Sequence, residues 1–139
     1  METEAMRWFG EYRANVQNGR LALPRCASCA RWHWYPKSVC PHCFSPDWRW
    51  REASGRGTLF SWTTVRQSFI PDAPAPYTIV LVEMAEDHDI RLVGNLDPAV
   101  AVDGLRGAMS MSIVFGKPGA TGSVGLPVFA PIDAKQQAS

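Results

Sequence analysis

Hydrophobic residues recur at mixed steps of three and four between positions 5 and 17, at Met6, Trp8, Phe9, Tyr12 and Val16, a spacing that predicts a short amphipathic helix. Asn18-Gly19 ends it, because both residues tolerate the left-handed backbone with which helices commonly stop. The period then falls to two. Leu21 and Leu23 flank Ala22 ahead of Pro24. Trp32, Trp34 and Tyr35 predict a hairpin strand, and Trp48 and Trp50 follow at strand spacing. From Gly55 onward come five apolar, β-branched stretches: Thr58 to Val65, Tyr77 to Met84, Ile90 to Leu96, Met109 to Phe115, and Val124 to Ala130. Turn signals separate them: Pro71, Pro74 and Pro76, then the polar tip Glu86 to Asp89, then Asp103-Gly104 and Lys117-Pro118-Gly119.

The pattern divides the chain into a helix (1–19), a middle segment (20–54), a strand-rich segment (55–133) and a loose tail (134–139). The fold class is α+β, mainly β. Five short strands with no long helix predict a small barrel. A five-stranded OB-fold is the economical architecture, with a sandwich as the fallback.

At 139 residues, 46% hydrophobic and net charge +1, the chain has the composition of a soluble globular protein. It lacks a run of about eighteen apolar residues to span a bilayer. The opening Met1-Glu2-Thr3-Glu4 does not have the basic and apolar regions of a signal peptide. A cytoplasmic location is expected, and with it reduced thiols.

The four cysteines form two Cys-x-x-Cys pairs, Cys26/Cys29 and Cys40/Cys43, and these are the only cysteines in the chain. Each pair places two thiolates on one side of a tight turn, and two such turns supply four tetrahedral sulfur ligands. Two disulfides or four unrelated thiols would not explain the doubled spacing. Such a site can hold zinc or iron; the short interval favours a compact zinc ribbon. Four thiolates close the shell and leave no position for substrate, so the zinc is expected to be structural. A ribbon of about thirty residues buries too little apolar area to fold alone, and metal binding supplies the difference. His33 and His42 lie nearby and read as surface residues, since four thiolates already suffice.

The remaining residues do not assemble a catalytic constellation. The three histidines are scattered, and His88 sits in Glu86-Asp87-His88-Asp89, a solvated hairpin tip without the organised partner that a base needs. There is no Gly-x-Ser-x-Gly elbow, Walker loop or dinucleotide fingerprint. An independent enzyme is not expected.

Several motifs together carry a family resemblance. They are Gly19-Arg20-Leu21-Ala22-Leu23-Pro24-Arg25-Cys26, Tyr35-Pro36-Lys37, Cys40-Pro41-His42-Cys43, Ser54-Gly55-Arg56-Gly57-Thr58-Leu59, Pro76-Tyr77 and Phe129-Ala130-Pro131. Over most of its length the chain resembles the two-part zinc-ribbon and OB-fold proteins catalogued as domain-of-unknown-function family thirty-five. The resemblance implies a rubredoxin-like four-cysteine ribbon and a non-catalytic role in acyl-CoA metabolism. The implied partners are thiolase-like, aldolase-like or hydratase-like subunits, in a natural two-plus-two assembly. The glycine that the family often has after each cysteine pair is Ala30 and Phe44 here.

Two binding readings follow. Contact with acyl-CoA would need cations for its phosphates and an apolar slot for its arm. Arg66, Arg91 and Lys117 are the candidate cations, and Phe69 and Ile70, in the proline-rich loop, are candidate lining of a channel mouth shared with the catalytic subunit. For the partner surface, Trp8, Phe9 and Tyr12 on the helix and Trp32 and Trp34 on the ribbon exceed what so small a core needs, and aromatics are enriched at interface centres. Trp48, Trp50 and Trp62 read instead as caps of ribbon and barrel. The alternative is a single-stranded nucleic-acid binder with bases stacked on exposed rings. Charge argues against it: residues 1–57 carry nine Lys/Arg against five Asp/Glu, whereas residues 58–139, the barrel, carry five against eight. A phosphate backbone calls for the opposite balance.

Overall fold

The computed structural model describes residues 3–67, 75–115 and 126–132. The chain divides into two compact units, Met1–Ser54 and Gly55–Ser139.

The first unit opens with helix α1 (Glu4–Gln17). It starts one residue earlier than the hydrophobic spacing predicts, because Thr3 Oγ1 accepts from the Met6 backbone N–H at 3.2 Å and caps the first turn. At the other end only Gly19 turns left-handed, at φ +80°, while Asn18 keeps φ −92°. Strand β1 (Ala22–Cys26) pairs antiparallel with β2 (Trp48–Glu52), placing Cys26 opposite Trp48. The strand expected at Trp32, Trp34 and Tyr35 is absent. Trp32 makes one isolated bridge to Arg25, on the edge of β1 opposite β2, and the pairing extends no further. The three rings serve packing instead.

The second unit is a closed barrel of β3 (Arg56–Val65), β4 (Tyr77–Met84), β5 (Arg91–Leu96), β6 (Ser110–Val114) and β7 (Val128–Pro131). The spatial order is β3-β4-β5-β7-β6, with β5 and β7 parallel and the other pairs antiparallel. This is the five-stranded OB-fold arrangement. Strand β4 alternates between half-buried and buried along its whole length, as a strand with one face on a core must. Leu59, Val80, Val82, Leu92, Met111 and Phe129 fill the interior, each 1% exposed or less.

Two glycines let the strands close. A Cβ at Gly94 would lie 2.7 Å from both the Phe129 ring and the Pro127 carbonyl, and one at Gly57 would collide with the Glu83 carbonyl. A register shift between Leu59 and Ser61 releases Phe60 from the ladder, bending β3 as bulges do. No helix among the described residues is long and apolar enough to cross a membrane.

Gly94→Ala is expected to destabilise the barrel by about 1–3 kcal/mol, the usual cost of forcing atoms into a filled core. Chemical denaturation reads this as a lower midpoint with unchanged slope; an unchanged midpoint would refute the close packing of Gly94 on Phe129.

Candidate functional site

The two cysteine pairs fold into matching knuckles. In the first, the Cys26 N–H donates to the Arg31 carbonyl (2.9 Å) and the Ala30 N–H donates back to the Cys26 carbonyl (3.0 Å). In the second, the Cys40 N–H donates to the Ser45 carbonyl (2.8 Å) and the Phe44 N–H to the Cys40 carbonyl (2.8 Å). Closing so tight a loop requires a left-handed residue after each pair, and Ala30 (φ 63°) and Phe44 (φ 65°) adopt it despite their side chains. Such a backbone costs a non-glycine residue about 1–2 kcal/mol. Ser28 Oγ and Ser45 Oγ, 2.9 Å apart, tie the knuckles together.

The four Sγ atoms lie within 4.8 Å of one another. Cys26 and Cys43 sulfurs are 3.5 Å apart, and those of Cys29 and Cys40 are 3.7 Å apart. A tetrahedron with zinc–sulfur bonds of about 2.3 Å has edges of about 3.8 Å, so the cage fits zinc. Backbone N–H groups of Cys29 and His42 point at the Cys26 and Cys40 sulfurs, each at 3.4 Å, and favour the thiolate form. The N–H of Cys29 is the main influence pulling the Cys26 thiol down to about 6. At Cys43 the Ser45 backbone works in the same direction, but the neighbouring sulfurs, Cys26 first, and burial outweigh it and push that thiol up to about 12. Crowded thiols resist successive ionisation, and a divalent cation removes the resistance.

In the same unit, aromatic rings pack on one another. Trp8 meets Trp48 edge-on at 5.6 Å, Tyr12 packs on Trp34 at 4.7 Å, and Phe9 touches both Trp34 and Tyr35. Trp48 Nε1 donates to the Lys37 carbonyl, and Trp50 Nε1 donates to Glu11. Tyr12 is buried, which raises its phenol well above the ordinary value. Of the rings expected to face a partner, Tyr12 is therefore committed to the core of this unit, while Trp8, Trp32 and Trp34 are half-buried. Phe9 stays exposed beside Met6 and Tyr35.

His33 departs from its expected surface position. It is 2% exposed and packs edge-on against Trp48, because the chain turns inward there to donate its N–H to the Pro24 carbonyl. Neither ring nitrogen has a hydrogen-bond partner, and burial lowers its pKa. His42 and His88 are exposed, as expected.

In the barrel, Arg91 stacks over Phe60 at 4.0 Å. Arg91 is aligned with Glu83 and Thr58, whereas Arg66 follows the far end of β3, where Val65 pairs with Tyr77. By strand rise the two arginines lie roughly 20 Å apart, so the structure does not bring them together. Phe69, Ile70 and Lys117 lie outside the described residues. A cleft of about 440 Å³ beside the start of β3 is lined by Arg56, Thr58, Glu83, His88 and Ser110, among others. No local pattern marks it, because barrel closure brings its walls together from β3, β4, β6 and the turn carrying His88.

Comparison with known proteins accords with both units. Residues 14–49 match the family described as "ChsH2, rubredoxin-like zinc ribbon domain", and residues 50–128 match "ChsH2, C-terminal OB-fold domain". The solved structure titled "Ltp2-ChsH2(DUF35) aldolase" contains a chain 32% identical, with a TM-score of 0.77 over 94% of this chain and 98% of that one. A protein of unknown function from the DUF35 family of Sulfolobus solfataricus is 14% identical, with a TM-score of 0.57 over 93% of this chain and 86% of that one; it shows the fold alone. The "Probable enoyl-CoA hydratase alpha subunit" of Thermomonospora curvata is 37% identical over 112 residues, 81% of this chain. The chain spans about a third of that relative's length. The rubredoxin-like match and the closed thiolate cage together identify the cofactor as a structural zinc.

Cys26→Ala should release the metal and melt the ribbon, since the binding energy of a structural zinc is folding energy on the order of 10 kcal/mol. Metal analysis with circular dichroism checks this, and stoichiometric zinc with an unchanged Tm would refute it. A second expectation concerns pH. Below about pH 6.5 the unfolded chain takes up a proton that buried His33 resists, so stability falls as pH drops through that value. His33→Phe should remove this component, so that its Tm declines less than the wild type's between about pH 7 and about pH 5.5. Parallel curves would refute the assignment to His33.

Proposed function

Because the chain belongs to the ChsH2 family, whose two domain types match residues 14–49 and 50–128 in succession, we propose that it is a non-catalytic accessory subunit of an acyl-CoA enzyme. The catalytic partner is a thiolase-like subunit that makes or cleaves a carbon–carbon bond. This chain stabilises it and contributes to the channel that receives the acyl-CoA, in a two-plus-two complex.

The observation that carries the reading is the closed metal shell. Four sulfurs occupy all of zinc's tetrahedral positions, so the metal cannot activate water or polarise a carbonyl here. The described histidines offer no organised base either: His33 is sealed against Trp48, His42 is exposed, and His88 is exposed with Asp89 at 3.8 Å. The reacting groups then belong to another chain. The kinship in length and fold with a chain of an aldolase complex supports the same conclusion. Arg91, held over Phe60, and Arg66, roughly 20 Å away by strand rise, are separate candidate contacts for the acyl-CoA, not one phosphate clamp.

Co-purification from native extract followed by mass measurement tests this. A thiolase-like subunit recovered at equal stoichiometry, and acyl-CoA bound at least about tenfold more tightly by the complex than by this chain alone, are the expected results. Recovery of nucleic acid instead, lost steeply with added salt, would overturn the accessory-subunit reading and favour a nucleic-acid role for the exposed Phe60 and Trp62.

A further inference from the structure

The residue closing each zinc knuckle must be left-handed, a conformation that glycine adopts without steric cost. Alanine at position 30 is a mild departure. Phe44, at φ 65°, is a severe one, because a bulky side chain in this region is an outlier. Phe44 is also 73% exposed, the highest value among the described large hydrophobic residues. Two penalties thus meet at one position, and the ring lies largely in solvent. Strain of this kind persists where something outside the local turn uses it.

The charge balance of the ribbon segment indicates what that partner presents. Residues 20–54 carry six Lys/Arg against two Asp/Glu, an excess that survives the two negative charges of a zinc–tetrathiolate centre. Arg25 and Arg49 face each other directly across β1 and β2, a like-charge pairing that weakens an isolated hairpin. Arg49 has Asp47 at 3.8 Å, and Arg25 lies over Trp32.

Resting on the accessory-subunit reading, we propose that Phe44 is the anchor by which the ribbon docks onto its catalytic partner, its ring entering an apolar socket rimmed by acidic side chains. A desolvated aromatic anchor inside a polar rim is the arrangement in which a single side chain dominates binding.

The test uses Phe44→Gly, Phe44→Asn and, as a control, Ala30→Gly. Zinc content, Tm and affinity for the purified thiolase-like subunit that accompanies the wild type are measured for each. Phe44→Gly should keep its zinc, melt a few degrees higher as the backbone relaxes, and bind the subunit at least about tenfold more weakly. Asparagine, which also tolerates this backbone, should weaken binding likewise, whereas Ala30→Gly should raise Tm and leave affinity unchanged. Wild-type affinity in both Phe44 variants, or loss of zinc on Phe44→Gly, would overturn the anchor while leaving the accessory reading intact. A wild-type chain that binds no such subunit would overturn both.

Discussion

Four sulfur atoms that must reach one tetrahedral centre set the terms for the first unit. The short strands β1 and β2 and the single helix α1 bury little apolar area by themselves, and a segment of this size does not reach stability on area alone. The cage converts two sequence-distant turns into one rigid object. Its demands propagate outward: each knuckle turns its chain through a left-handed residue, the backbone N–H groups aim at sulfur, and Cys26 is set opposite Trp48 across the strand pair.

The aromatic residues answer a second need of the same unit. Flat rings fill space with few rotatable bonds to immobilise, and Trp8 on Trp48, Tyr12 on Trp34 and His33 on Trp48 pack in this way. Met6, Phe9, Tyr35, Val39 and above all Phe44 stay exposed.

The barrel obeys a different constraint. Closing five strands requires backbones to approach at particular places, which Gly57 and Gly94 permit, and requires one strand to bend, which the irregularity at Phe60 achieves. The chemistry of metal and the geometry of closure thus act in separate halves of the chain. Among the described residues, the one cluster able to hold a metal is the closed four-cysteine cage of the first half.

The elements and the metal were legible in the pattern of residues along the chain. Cysteine spacing names its own chemistry, and local periodicity placed the helix and all five barrel strands; the prediction for β4, Tyr77 to Met84, coincides with the observed strand. That pattern misplaced Trp32, Trp34 and Tyr35 as a strand, of which only the Arg25–Trp32 bridge forms, and His33 as a surface residue, because Trp48, distant in sequence, packs on the imidazole. It could not measure the separation of Arg66 and Arg91 or see the cleft at Arg56 and His88. The tertiary structure alone decided these, and also turned Phe44 from a variant turn residue into an exposed, strained ring. Burial and proximity are sums over contacts between distant segments, and a one-dimensional pattern records only each residue's own preference.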